Sequence, residues 1–219
     1  MDEVWENLHA SRHWGKYPAE PLIRKCMRTW RDPAARAQTR VLELGCGAGA
    51  NLSFFIAEGF QTSGLDGAPT AIRNARARLS PIVSEGQTLD LQVQTFDDIR
   101  FPDGAFDLVV DHYAIYANPV DTITTTYARA RDLLTPGGYL YSNVWGRETT
   151  GAATGAMIEP GTSKNPETGP CADMGISHFF THAEIEEQFA GWSGLEITRR
   201  TTEEPDGTFI EEFTIWAQN

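Results

Sequence analysis

Residues 40–51 read RVLELGCGAGAN, a short apolar run that gives way to glycines at positions 45, 47 and 49. Val41, Leu42 and Leu44 suit a buried parallel strand. The alternating glycines suit a turn whose backbone comes closer to a ligand than any Cβ would permit. The apolar residues 52–57 predict the helix that such a turn feeds. Strand, glycine turn and helix together make a cradle for a nucleotide-type ligand, with backbone N–H groups and a helix N-terminus directed at it.

The segments beyond the turn extend that unit. A second short strand, Gln61-Thr62-Ser63-Gly64-Leu65, ends at Asp66, which lies 21 residues past Gly45. That is the distance at which a βαβ unit brings a carboxylate to the ribose hydroxyls of a ligand seated on the first turn. Pro69 opens a helix with Ile72, Ala75 and Leu79 facing the sheet, and alternating Leu89, Leu91 and Val93 predict a third strand. Residues 101–104 form a turn before a fourth strand over 105–111. Asn118 as N-cap and Pro119 at N1 predict a helix start, with Val120, Ile123, Tyr127, Ala130, Leu133 and Leu134 on its apolar face. Thr135-Pro136-Gly137-Gly138 stops that helix ahead of a fifth strand over 139–145.

Residues 146–175 are rich in Gly, Thr, Pro and Ala without a sustained period, which predicts a lid or a mobile insertion. Thr181 and Glu184 then form a capping box ahead of a helix burying Ile185 and Phe189. Strands over 195–202 and 208–217 follow, joined by an acidic hairpin turn. The expectation is an α/β fold: a doubly wound, seven-stranded, mostly parallel sheet with helices on both faces and a C-terminal antiparallel β-hairpin. The 219 residues suffice for a single domain, with residues 1–39 as a helical N-terminal lid and residues 146–180 as an insertion over the active site. The N-terminal segment carries Trp5, His9, His13, Trp14, Tyr17 and Trp30, and a helix over 19–28 with Pro21 in its first turn, so packing and a lid role both fit it.

Charge narrows the partners. The net charge of −12 divides into +3 for residues 1–40 and −15 for the remainder. So acidic a body, without a basic stripe, is a poor partner for nucleic acid. No apolar run reaches the length of a membrane span and no signal sequence opens the chain, so a soluble cytoplasmic protein without membrane contact is expected. Cys26, Cys46 and Cys171 are far apart with no C-x-x-C, so neither a metal site nor a disulfide framework is predicted. A monomer or homodimer fits this composition.

In order along the chain, Val41-Leu42-Glu43-Leu44-Gly45-Cys46-Gly47-Ala48-Gly49, Gly64-Leu65-Asp66-Gly67, the segment 101–109 and Leu133-Leu134-Thr135-Pro136-Gly137-Gly138 resemble class I S-adenosylmethionine-dependent methyltransferases of the small methyltransferase domain 11 or 25 type. The resemblance covers residues 40–145 and extends loosely to the terminal hairpin. It implies S-adenosyl-L-methionine as cofactor, a Rossmann-like fold and methyl transfer to a small-molecule acceptor by in-line displacement. It further implies that Glu43 lies near the cofactor's amino group, that Asp66 holds the ribose, and that Gly67 and Ala68 lie by the adenine. Gly45, Cys46, Gly47, Asn51, Phe96, Asp97, Asp111 and Trp14 complete the implied cofactor set. Thr95 stands where related chains place the adenine-binding Asp, which passes that role to Asp97 or to backbone.

Acceptor-side candidates lie just past the fourth strand, at the carboxyl edge of the sheet: His112, as a base where the acceptor must lose a proton, and Tyr113. His178, in a His-Phe-Phe stretch, is a third candidate. Arg12, Lys16 and Arg24 are the basic residues available to an anionic substrate. Two alternative functions stay open on sequence alone: an NAD-dependent oxidoreductase, because Gly45-x-Gly47-x-x-Ala50 satisfies a loose dinucleotide fingerprint, and a non-catalytic S-adenosylmethionine-binding protein.

Overall fold

The computed structural model describes residues 3–12 and 15–219. Helices α1 (Glu3–Ser11), α2 (Glu20–Thr29) and α3 (Pro33–Arg36) precede strand β1 (Arg40–Leu44). There follow α4 (Ala50–Ala57), β2 (Gln61–Asp66), α5 (Pro69–Leu79), β3 (Leu89–Val93), β4 (Phe106–His112), α6 (Val120–Leu133) and β5 (Leu134–Trp145). Short strands β6 (Ala156–Glu159), β7 (Thr162–Lys164) and β8 (Ile176–His178) come next, then α7 (His182–Gln188), β9 (Ser193–Glu203) and β10 (Phe209–Gln218).

The main sheet has seven strands in the order β3-β2-β1-β4-β5-β10-β9. Strands β3 through β5 are mutually parallel, while β10 runs antiparallel to both β5 and β9. Strand order reverses between β1 and β4, which opens a crevice at the carboxyl ends of the central strands. The period-2 alternation of strand side chains divides the core into two layers. Val41, Leu108, Val110, Tyr141 and Trp216 pack with α2, α4 and α5 on one face. Leu42, Val109, Leu140, Val144, Phe213 and Ile215 pack with α6 and α7 on the other. Leu22, Cys26, Ile123, Tyr127, Ile185 and Phe189 are the buried positions of those helices, at the spacing their sequences predict. Burying each such side chain contributes about 1.5–3 kcal/mol. Val93, at the end of edge strand β3, is instead 44% exposed.

Residues 146–180 depart from the expectation of an irregular insertion. They contain a second, three-stranded antiparallel sheet, β6-β7-β8. Its strands are three or four residues long, too short for a period-2 pattern to show in the sequence. Backbone bonds from His178 N to Tyr116 O (2.9 Å), Phe180 N to Trp145 O (2.8 Å) and Gly146 N to Glu211 O (2.7 Å) tie the segment to the body.

The start of α6 also differs from expectation. Asn118 does not cap it; its amide donates to Ile115 O at 3.1 Å, and Pro119 occupies the N-cap position without a side-chain acceptor. The carboxylate of Glu159, from the second sheet, accepts from Val120 N at 2.7 Å. Helix α5 is capped in the same manner. Ala68 offers no side-chain acceptor, and Glu6 of α1 accepts from Thr70 N at 3.1 Å and from the Thr70 hydroxyl.

Glu159→Ala is expected to lower unfolding stability by about 1 kcal/mol, the usual value of an N-cap, whereas Glu159→Gln keeps the acceptor and costs less. Urea unfolding midpoints of the two variants check this; equal losses would contradict the capping role.

Candidate active site

A cavity of about 570 Å³ opens at the carboxyl edge of the sheet, within the usual size of small-molecule sites. On the side of β1, β2 and β3 it is lined by Glu43, Gly45, Cys46, Gly47, Asn51, Asp66, Gly67, Phe96 and Asp97, all sequence candidates, together with Gln94 and Thr95. On the side of β4 and β5 it is lined by His112, Tyr113, Tyr116 and Trp145. Trp5 and His9 of α1 reach it from one flank, and Thr122, Pro170, Met174 and Ile176 from the other.

The glycine turn serves two purposes. Gly45 has φ +66°, and a Cβ there would overlap that of Ala114, so this glycine admits the turn that follows β4 rather than a ligand. At Gly47, φ +52°, a Cβ would come no nearer than 3.5 Å to its closest neighbour, His9 Cε1, and the position faces the cavity. Asp66 holds the turn in place. Its Oδ2 accepts from Gly47 N at 2.9 Å and its Oδ1 from Ala68 N at 2.8 Å. Burial raises the Asp66 pKa, opposed by the two backbone N–H groups and by His9. Burial lowers that of His9, opposed by Asp66 and Glu6.

Glu43 is 3% exposed at the end of β1. Its Oε1 accepts from Asn51 Nδ2 at 2.7 Å, whereas Oε2 is buried without a hydrogen-bond partner. Burial pushes its pKa up to about 8, with Asp111 and Asp66 raising it further against the Asn51 bond. A neutral carboxyl at this place becomes a carboxylate readily once a cation arrives.

Asp111 does not line the cavity, contrary to its place in the implied cofactor set. It is fully buried, and Oδ1 accepts from Ala114 N and Ile115 N, both at 3.0 Å. Oδ2 accepts from Ser142 Oγ at 2.6 Å and Tyr127 Oη at 3.3 Å. Burial raises its pKa to about 6 against these bonds. The carboxylate thus organises the turn after β4, in which Tyr113 adopts φ +54°, a strained value for an aromatic residue. The Tyr113 hydroxyl donates to Glu212 of β10, and its ring stacks on Trp145 with centroids 4.1 Å apart.

His112 lines the cavity with Nδ1 3.4 Å from Asn143 Oδ1, and the Asn143 amide donates to Thr214 Oγ1 at 2.9 Å. Burial lowers the His112 pKa, so its imidazole is neutral at pH 7. His178 is not brought to the cavity. It is buried in the second sheet with Nδ1 2.7 Å from Thr162 Oγ1, and its ring meets Phe180 edge-on. Ala68 is buried behind the turn and lines nothing. Trp14 lies outside the described residues. Among the described residues the cavity lining contains no lysine or arginine. Arg24 pairs with Glu20 on the outer surface of α2, and Arg12 and Lys16 do not line the cavity. Trp145, missed from the sequence, ends β5 at the same carboxyl edge that pointed to His112; Met174 and Ile176 carry no sequence signal.

A folded pKa of about 8 for Glu43, above the usual 4.5, means that its contribution to stability is fully present below 4.5 and is lost as pH rises towards 8. The ligand-free protein is therefore expected to lose a few kcal/mol between about pH 5 and 8. Glu43→Gln keeps the Asn51 bond and flattens the upper part of that slope, measured by urea unfolding at a series of pH values.

Residues 41–138 match the family model described as "Methyltransferase domain". A search among curated proteins returns no match. A crystal structure of an S-adenosylmethionine-dependent methyltransferase from Methanosarcina mazei is similar with TM-score 0.73 and 22% identity, covering 92% of this chain and 98% of that one. A Burkholderia thailandensis 1,6-didemethyltoxoflavin-N1-methyltransferase, bound to 1,6-didemethyltoxoflavin and S-adenosylhomocysteine, has TM-score 0.65 and 17% identity, covering 91% and 77%. A methyltransferase from Mesorhizobium loti has TM-score 0.64 and 16% identity, covering 91% and 96%. The antiparallel β10 beside β5 also departs from the dinucleotide-binding order of six parallel strands. Residues 41–138 thus match a methyltransferase-domain model, and the chain shares the fold of these S-adenosylmethionine-dependent methyltransferases.

Proposed function

We infer that the protein methylates a small-molecule acceptor held between the glycine turn and the aromatic end of the cavity. The observation that carries this reading is the buried, unpartnered Glu43 Oε2 beside a turn whose Gly47 faces the cavity. A carboxylate oxygen without a donor fits the ammonium of the cofactor's methionine part, and Asp66, with spare lone pairs, fits the vicinal ribose hydroxyls. Thr95, Phe96 and Asp97 lie beyond Asp66 and would border the adenine. When bound, S-adenosylmethionine supplies an electrophilic methyl group on a sulfonium.

On the acceptor side, Tyr113, Tyr116 and Trp145 restrict orientation, which is the main catalytic lever for an in-line displacement. His112 is the base where the attacking atom carries a proton. Asn143, fixed by Thr214, receives Nδ1–H and leaves the Nε2 lone pair for that proton. Trp5 and His9 of α1 and Pro170, Met174 and Ile176 of the 146–180 segment border the cavity, where they would help to keep water from a bound cofactor. A cavity of this size favours a small acceptor, and the similar Burkholderia 1,6-didemethyltoxoflavin-N1-methyltransferase, bound to 1,6-didemethyltoxoflavin, supports that reading.

S-Adenosylhomocysteine is expected to raise the melting temperature and, at pH 7, to release close to one proton as Glu43 ionises, read by calorimetry in buffers of different ionisation enthalpy. No thermal shift at millimolar ligand would sink the reading. His112→Ala is expected to lower turnover by about 10²–10⁴-fold with cofactor affinity little changed. In the parent enzyme the acid limb of kcat/KM falls below pH 6.5, because burial lowers the His112 pKa from that value. Unchanged turnover of the variant across pH would remove the base role.

A further inference from the structure

The cavity is chemically divided. Its carboxylates, Glu43, Asp66 and Asp97, all belong to the side formed by β1, β2 and β3, and the lining described on the β4 and β5 side carries neither a carboxylate nor a cation. What that side presents instead is a fixed aromatic corner. Trp145 and Tyr113 are stacked at 4.1 Å with 18° between planes, and Tyr116 stands edge-on to both, at 85° and 83°, with centroids 6.4 Å away.

None of the three rings is free to reorient. The Tyr113 hydroxyl is held by Glu212, Tyr116 is 2% exposed with its hydroxyl 4.0 Å from Met174 Sδ, and Trp145 is the last residue of a central strand. Met174 and Ile176 of the second flank add apolar surface. An anionic acceptor entering here sheds its water with no arginine or lysine in the described lining to replace it, and an ammonium finds no carboxylate in the lining on this side, Glu212 standing behind the Tyr113 hydroxyl that it holds. A planar uncharged ring meets preformed aromatic faces at little entropic cost.

We propose that the methyl acceptor is an uncharged, planar aromatic or heteroaromatic molecule, selected by the Tyr113–Tyr116–Trp145 corner and by a lining that, among the described residues, carries no charged side chain on that side. The proposal rests on the methyltransferase reading above. Where the nucleophile is a ring hydroxyl, its oxygen forms the bond to the methyl carbon, the carbon–sulfur bond breaks to leave a neutral thioether, and the hydroxyl proton passes to His112 Nε2.

The test uses the full chain loaded with S-adenosylhomocysteine and four probes, read by quenching of tryptophan fluorescence. They are 2-naphthol, its 6-carboxylate, its 6-aminomethyl derivative and the saturated decahydro-2-naphthol. 2-Naphthol is expected to bind at least tenfold more tightly than each of the others. Met174→Lys, at a half-buried position, is expected to bring the carboxylate to parity or better, with Thr122→Lys as a second variant on a different element. If S-adenosylhomocysteine stabilises the protein but the carboxylate, the amine or the saturated alcohol binds as tightly as 2-naphthol, or 2-naphthol does not bind, the acceptor class is overturned while the methyltransferase reading stands. Absence of stabilisation by S-adenosylhomocysteine instead removes that reading.

Discussion

The arrangement of the cavity on the side of β4 and β5 depends on one buried carboxylate. Asp111, at the end of a central strand and without solvent exposure, accepts two backbone N–H bonds from the turn that follows it and two hydroxyl bonds from Ser142 and Tyr127. A buried carboxylate is tolerated only when so satisfied, and the bonds fix the backbone that supplies them. That backbone sets Tyr113 in its left-handed conformation and lays Ala114 against Gly45. The turn of β1 and the turn of β4 are therefore a single packed unit, and neither moves without the other.

Electrostatics adds a second layer. Glu43, Asp66 and Asp111 all end parallel strands at one edge of the sheet, and burial raises the pKa of each. Charging Glu43 or Asp66 is disfavoured by burial in the ligand-free site, and a cation placed beside them would offset that cost. Binding and protonation are thus linked, and the site favours a sulfonium over its neutral product for the same reason.

Much of this was legible in the chain. The succession of strands and helices, the capping box at Thr181 and the packing faces of the helices follow from sequence patterns that survive tertiary packing, because the central parallel strands are buried on both faces and the helices on one. The glycine turn was legible as a cradle, but local sequence does not say that Gly45 answers to Ala114, sixty-nine residues on. Asp111 and His178 illustrate the same limit: their residue types suit a ligand site, and only long-range packing determines that Ser142 and Thr162 take their polar atoms instead. The second sheet escaped notice because its strands are shorter than any period they display.

The capping of α5 by Glu6 and of α6 by Glu159 means that both helices borrow their first hydrogen bonds from α1 and from the second sheet, two elements at the margin of the cavity. Displacing either segment would leave a bare helix end, at about 1 kcal/mol for each lost cap, or roughly a fivefold reduction in the population with that segment displaced. Each cap therefore works as a latch: whatever keeps α1 and the second sheet seated also steadies the first turns of α5 and α6.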